Sequence, residues 1–93
     1  RNAYLSAQDR ARAGALPDAM REAIAAVRGG QAIPEALKVL TGRLASAGFS
    51  QVDYAEICDA SSLAALDALD SRPARLLVAA RIGGTRRIDN MPV

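Results

Sequence analysis

The spacing of apolar residues changes at Gly48, and that change limits what this chain can become. Before it, Leu16, Met20, Ala23, Ile24 and Val27 recur at i, i+4, i+7, i+8 and i+11, the face of an α-helix. Leu37, Leu40, Leu44 and Ala47 form a second such stripe. After it, Val52 to Cys58 and the stretch ARLLVAARI lose the helical period and read as strands. A chain built this way must lay helices against a sheet, because neither a helical stripe nor a sheet face is stable in water alone.

The punctuation residues give the boundaries. Ser6 before Ala7-Gln8-Asp9 resembles a capping box and predicts a first helix from about Ala7 to Ala13. Gly14 and Pro17 interrupt it, and Pro17 suits the first turn of a second helix. Gly29-Gly30 stops that helix, Pro34 starts a third, and Gly48 ends it. In the first strand, Val52 and Tyr54 are expected on one face, Ala55 and Ile57 on the other. Ser61 to Leu66 reads as a short helix with Ser61 near its cap, and DALDSRP as a polar connection. ARLLVAARI is apolar without alternation, so it is expected in the sheet centre. Gly83-Gly84 is a two-residue hairpin signal, and TRRIDN is the returning strand. The expected order is α-α-α-β-α-β-β. This is an α+β fold: a small three-stranded antiparallel sheet covered on one side by helices, with residues 1–93 as a single domain.

Composition narrows the chemistry. With 12 basic against 10 acidic residues, the net charge of +2 is no nucleic-acid footprint. There is no His, so imidazole is absent as a general base, and Cys58 has no second Cys for a disulfide or a zinc site. A lone Cys fits a reducing cytoplasm. No signal peptide is read at the first residues, and the longest apolar run, Leu76 to Ala80, is too short to span a bilayer. Asp53 and Glu56 are expected on opposite strand faces, and Asp67 and Asp70 in a solvated turn, so no pair of carboxylates is set up for acid–base work. Ser61 and Ser62 have no partner base. Cys58 reads as a buried, inert thiol. Arg81, Arg86 and Arg87 cluster around Gly83-Gly84 and could touch RNA or another phosphate. No aromatic residue interleaves them, which favours a solvated edge. Taken alone, the chain holds no complete active site and no metal set, so catalytic residues are expected to be absent from it.

Three stretches together resemble a known family. RNAYLS is similar to the Ser-Ser-Arg-Asn-x-Tyr-Leu-Ser stretch of the pantoate–β-alanine ligases, beginning at its Arg. VDYAEICD resembles the family's Asp-Tyr-x-Glu strand. LLVAARIGGTRRIDN resembles its closing Ala-x-Arg-x-Gly-x-Thr-Arg-x-Ile-Asp-Asn hairpin. The likeness spans the whole chain and places it as the family's C-terminal domain.

The resemblance implies an enzyme that joins pantoate to β-alanine and cleaves ATP to AMP and pyrophosphate through pantoyl adenylate. It implies that a Rossmann-like N-terminal domain holds pantoate, most of the ATP·Mg2+ site and the contacts of a homodimer, while the C-terminal domain acts as a lid. The Ser-Ser-Arg segment is the family's counterpart of the KMSKS loop of class I synthetases. Of it, this chain carries only Arg1, which then reads as the cut edge of a phosphate-binding junction. By the same resemblance Arg1 contacts the ATP phosphates, Asn2 fixes the junction, and Tyr4 and Leu5 dock it onto the first helices. The implied partners are the enzyme's own N-terminal domain and the small molecules pantoate, β-alanine and ATP, with no nucleic acid and no membrane. The implied location is the cytoplasm, and the isolated chain is expected to be inactive. The alternative is a freestanding protein- or RNA-interaction module that uses the basic hairpin.

Overall fold

The computed structural model describes residues 12–93. Residues 12 and 13 are helical. The rest of the helix expected over Ala7–Ala13, and the capping box before it, lie outside the described residues. Helix α1 spans Ala15–Arg28 and α2 spans Ile33–Ser46. The strands are β1, Gln51–Asp59, β2, Ala74–Ile82, and β3, Thr85–Pro92. They form one antiparallel sheet in the order β1-β2-β3, with the apolar β2 in the centre.

Both helices end the same way. Gly30 takes a φ of 106°, so its amide reaches the Val27 carbonyl and the Gln31 amide reaches Ala26. Gly48 takes a φ of 105°, so its amide reaches Ala45 and the Phe49 amide reaches Leu44. These paired bonds satisfy carbonyls that would otherwise be orphaned, and the left-handed residue is one where a Cβ is strained. α1 buries Leu16, Met20, Ala23 and Val27 of its expected stripe and Ala19 besides, while Ile24 packs at the margin. In α2 the stripe is rotated slightly from expectation. Ile33, Ala36, Leu40 and Leu44 are buried, whereas Leu37 and Ala47 pack at the margin.

One core joins the layers. Met20, Leu40 and Leu44 from the helices cluster with Ile57, Leu76, Val78 and Ile82 from the sheet. In β2, Ala74, Leu76, Val78, Ala80 and Ile82 are buried against the helices. The other face carries no helix among the described residues, and Ile88 in its edge strand is 61% exposed. The two helices are also tied by Arg43, whose Nη1 donates to both carboxylate oxygens of Glu22 at 2.8 and 2.9 Å. Both side chains are about half exposed, so this pair adds little to stability.

Two expectations about the sheet are corrected. Ser61–Leu66 is not a helix. Asp59 Oδ1 accepts the amides of Ser61 and Ser62 at 2.8 and 3.1 Å, and Leu63 sits at a φ of 62°. The chain then folds back, with Leu66 donating to the Ile57 carbonyl and Ala65 bridging to Cys58. Asp59, not Ser61, is the capping residue, because its carboxylate offers the backbone a turn in place of a helix. The second correction is a bulge in β1. Val52 pairs with Ala80 and Tyr54 with Ala79, so β1 holds one extra residue there. Cross-strand partners share a face, so Val52 points to the helices while Tyr54 lies on the open face; the two do not share one.

The β2–β3 hairpin turns at Gly83-Gly84, between the paired Ile82 and Thr85. Their φ values of 59° and 80° are those of a type I′ turn. Replacing both with Val is expected to destabilise the chain by about 2 kcal/mol or more, since β-branched residues are strained at positive φ. Urea unfolding measures this. A double variant with the parent's midpoint would show that these dihedrals carry no strain.

Candidate functional site

The site residues inferred for the junction, Arg1 and Asn2, lie outside the described residues, as do Tyr4 and Leu5. What the structure describes is the open face of the sheet, and its charged groups gather at one end.

Arg81 and Arg86 are cross-strand partners beside the hairpin, and Gln51 is the partner of Arg81 on the other side. Like charges directly opposite one another repel. The bulge relieves this by setting Asp53 beneath them. Arg86 Nε donates to Asp53 Oδ2 at 2.8 Å. Arg81 Nε lies 3.4 Å from both carboxylate oxygens. Gln51 Nε2 donates to Oδ1 at 2.7 Å. The bond from Arg86 holds the Asp53 carboxyl below the usual aspartate range, with Arg81 adding to it and desolvation opposing. Because of the bulge, Asp53 and Glu56 share the open face, contrary to the alternation expected from their spacing. Asp53 is committed to arginines, so the two still do not act as a pair. The expected arginine cluster also divides. Arg87 pairs with Ala80 and lies on the helix side, apart from Arg81 and Arg86.

Cys58 and Asp70 are engaged by groups close to them in the chain. Cys58 is buried, and its thiol is pushed up first by burial and then by the Glu56 carboxylate, which also accepts its S–H at 3.7 Å. Asp70 accepts the Arg72 amide at 2.8 Å and pairs with its guanidinium at 2.6 Å, so it is paired and not merely solvated. Among the described residues no three of His, Cys, Asp and Glu gather as a metal set. Nor is any described helix long and apolar enough to cross a membrane.

The carboxylate of Asp59 gives a pH dependence. The amides of Ser62 and Ser61 hold it below the usual aspartate range. In the unfolded chain it titrates near the ordinary value of about 4. Above that value both states are ionised and the stabilisation is complete. As pH falls toward the folded value, the unfolded state binds the proton first and stability is lost. The urea midpoint is therefore expected to fall as pH drops from about 5 through the folded value, and less steeply for Asp59→Asn. Equal slopes would show that this turn is not coupled to the carboxylate's charge.

Comparison with known proteins decides the family. The sequence model described as Pantoate-beta-alanine ligase matches residues 1–92. The chain belongs to the pantoate-beta-alanine ligase family. A relative from Novosphingobium aromaticivorans named pantothenate synthetase is 54% identical over the full chain, and one from Rhizorhabdus wittichii with the same name is 52% identical. The chain spans about a third of the length of these relatives, 32% and 33% respectively. The crystal structure of the pantothenate synthetase from Thermus thermophilus superposes with a TM-score of 0.84 at 31% identity. The match covers 97% of this chain and 32% of the Thermus chain. The α+β fold is thus that of a known ligase family, and the three stretches that carried the resemblance lie within the matched residues. The freestanding RNA- or protein-interaction reading has no support among these relatives.

Proposed function

We propose that this chain is the C-terminal lid domain of a ligase that condenses pantoate with β-alanine. The observation that carries the reading is identity of about half over the whole chain to proteins three times its length. In this reading ATP and pantoate first give pantoyl adenylate and pyrophosphate. The amine of β-alanine then attacks the mixed anhydride, and AMP leaves.

In this reading the described residues supply an α+β unit that covers the site, and the reacting groups come from elsewhere in the enzyme. The described residues contain no imidazole and no carboxylate pair, and they offer no set of three ligands for Mg2+. The reading therefore assigns the pantoate site, Mg2+ and most of the ATP site to the remainder of the enzyme, a Rossmann-like N-terminal domain, with a homodimer in the cytoplasm. Arg1 is the residue we assign to the ATP phosphates: a guanidinium carries permanent charge and fixed donors toward the oxygens that gain charge as pyrophosphate departs. Asn2 is assigned to positioning that junction. The test is ATP-dependent formation of pantothenate by the full-length protein and by the 93-residue chain alone, expected from the first and absent from the second.

A further inference from the structure

We propose that Arg81 and Arg86, oriented by Asp53, form a binding site for phosphate groups on the open face of the sheet. Both arginines bond the carboxylate through Nε. Among the described residues, the terminal amino groups of the two guanidinium forks are then left to serve a ligand. The exposures place the layers: the Asp53 side chain is 15% exposed, while those of Arg81 and Arg86 are 47% and 41% exposed. The carboxylate lies beneath and the forks above it, so an arriving anion meets donors first. Asp53 is also occupied by Gln51, and its one negative charge leaves the two arginines with a residual positive charge.

The bulge makes this arrangement. Counted back from Ile57 and Ala55, which face the helices, strict alternation would turn Asp53 to the helices as well; the extra residue keeps it with Tyr54 on the open side, opposite Ala79. Bulges are a recurrent means of re-aiming a side chain beside a functional site. The Gly83-Gly84 turn fixes Arg81 opposite Arg86 across a ladder of main-chain bonds, so the separation of the forks does not depend on a flexible loop. The nearest other acid on this face is Glu56, and it stands in the row of Leu77 and Asn90, two rows away from Arg81 and Arg86. Two planar forks suit a tetrahedral oxyanion, which offers three oxygens around one centre, better than a single carboxylate with two. The ligand class is a phosphate group, whether free pyrophosphate or the phosphates of a nucleotide. The inference stands on the hairpin's geometry and goes beyond the ligase reading.

The chain closes its own core, and among the described residues no buried side-chain polar atom lacks a partner, so the 93-residue chain serves as the test protein. The experiment is a nitrogen-15 NMR titration of arginine Nε–H groups with inorganic pyrophosphate at constant ionic strength and without Mg2+. The Arg81 and Arg86 resonances are expected to shift saturably, while that of Arg21, paired with Asp18 on α1, stays still. Arg81→Gln and Arg86→Gln should each weaken binding about 10-fold or more, as expected for loss of charge-assisted bonds. Both side chains are exposed, and unchanged melting would show that the fold survives. Parallel arms with ATP and AMP identify the source. Tighter binding of ATP than of pyrophosphate supports a nucleotide-borne phosphate, and the reverse supports free pyrophosphate. The proposal is overturned if shifts are linear in concentration or equal at Arg21. It is also overturned if Arg86→Lys binds as the parent does, because charge without the oriented fork would then suffice.

Discussion

Leu40→Ala is expected to destabilise the chain by about 2–5 kcal/mol, the largest effect of any single substitution considered. Leu40 is 1% exposed and sits in the cluster that joins both helices to the sheet. Truncation removes the transfer free energy of the lost carbons and leaves a cavity that backbone on both sides cannot close. Domains of this size have a total stability of roughly 5–15 kcal/mol, so the loss is a large share. The melting temperature should fall by at least about 8 °C. Val39→Ala, one residue away on the exposed side of α2, should change stability by less than ~0.5 kcal/mol. Similar losses at both positions would mean that the helix is not docked by the stripe that names Leu40.

In the full-length enzyme, Arg1→Ala is expected to lower kcat/KM for ATP by about 10- to 150-fold. That range corresponds to the loss of one charge-assisted contact of roughly 1.5–3 kcal/mol. Under the proposed function this contact would strengthen as charge develops on the departing pyrophosphate, so adenylation should suffer while attack of β-alanine on preformed pantoyl adenylate is nearly spared. Single-turnover kinetics of the two half-reactions separate these steps. Equal loss in both would mean that Arg1 positions the lid as a whole. In the 93-residue chain the same substitution should leave stability almost unchanged, because a guanidinium at the first residue has no phosphate there to hold.

The layout was legible wherever one residue type dominates a local choice. Gly30, Gly48 and Gly83-Gly84 stood where positive φ was needed, and ARLLVAARI announced the central strand. The helical stripes named most of the buried helical residues, including Met20, Leu40 and Leu44, and missed Ala19, Ile33 and Ala36. The turn at Ser61–Leu66 was not legible as a turn. Six residues carry too little periodicity to outweigh a tertiary choice, and Asp59 decided it by capping two amides from outside the segment. The bulge was hidden for another reason. Nothing in Val52-Asp53-Tyr54 signals an extra residue, and one such insertion moves every side chain before it relative to the partner strand. The grouping of Asp53 with Arg81 and Arg86 follows from that shift. Spacing alone therefore put Asp53 and Glu56 on opposite faces and gave Arg87 the wrong companions. Arg81 and Arg86, close on either side of Gly83-Gly84, were the part of the site that spacing could find.

Under the proposed function this chain is one domain of a ligase whose chemistry needs the rest of the molecule. The most direct measurement is the yield of pantothenate, AMP and pyrophosphate from ATP, pantoate and β-alanine. It is made with the full-length protein and, in parallel, with the 93-residue chain. Equal amounts of the three products are expected from the full-length protein, and none above a blank from the chain alone. Pantothenate formed by the chain alone, or no coupling by an intact, folded full-length protein, would contradict the proposed function.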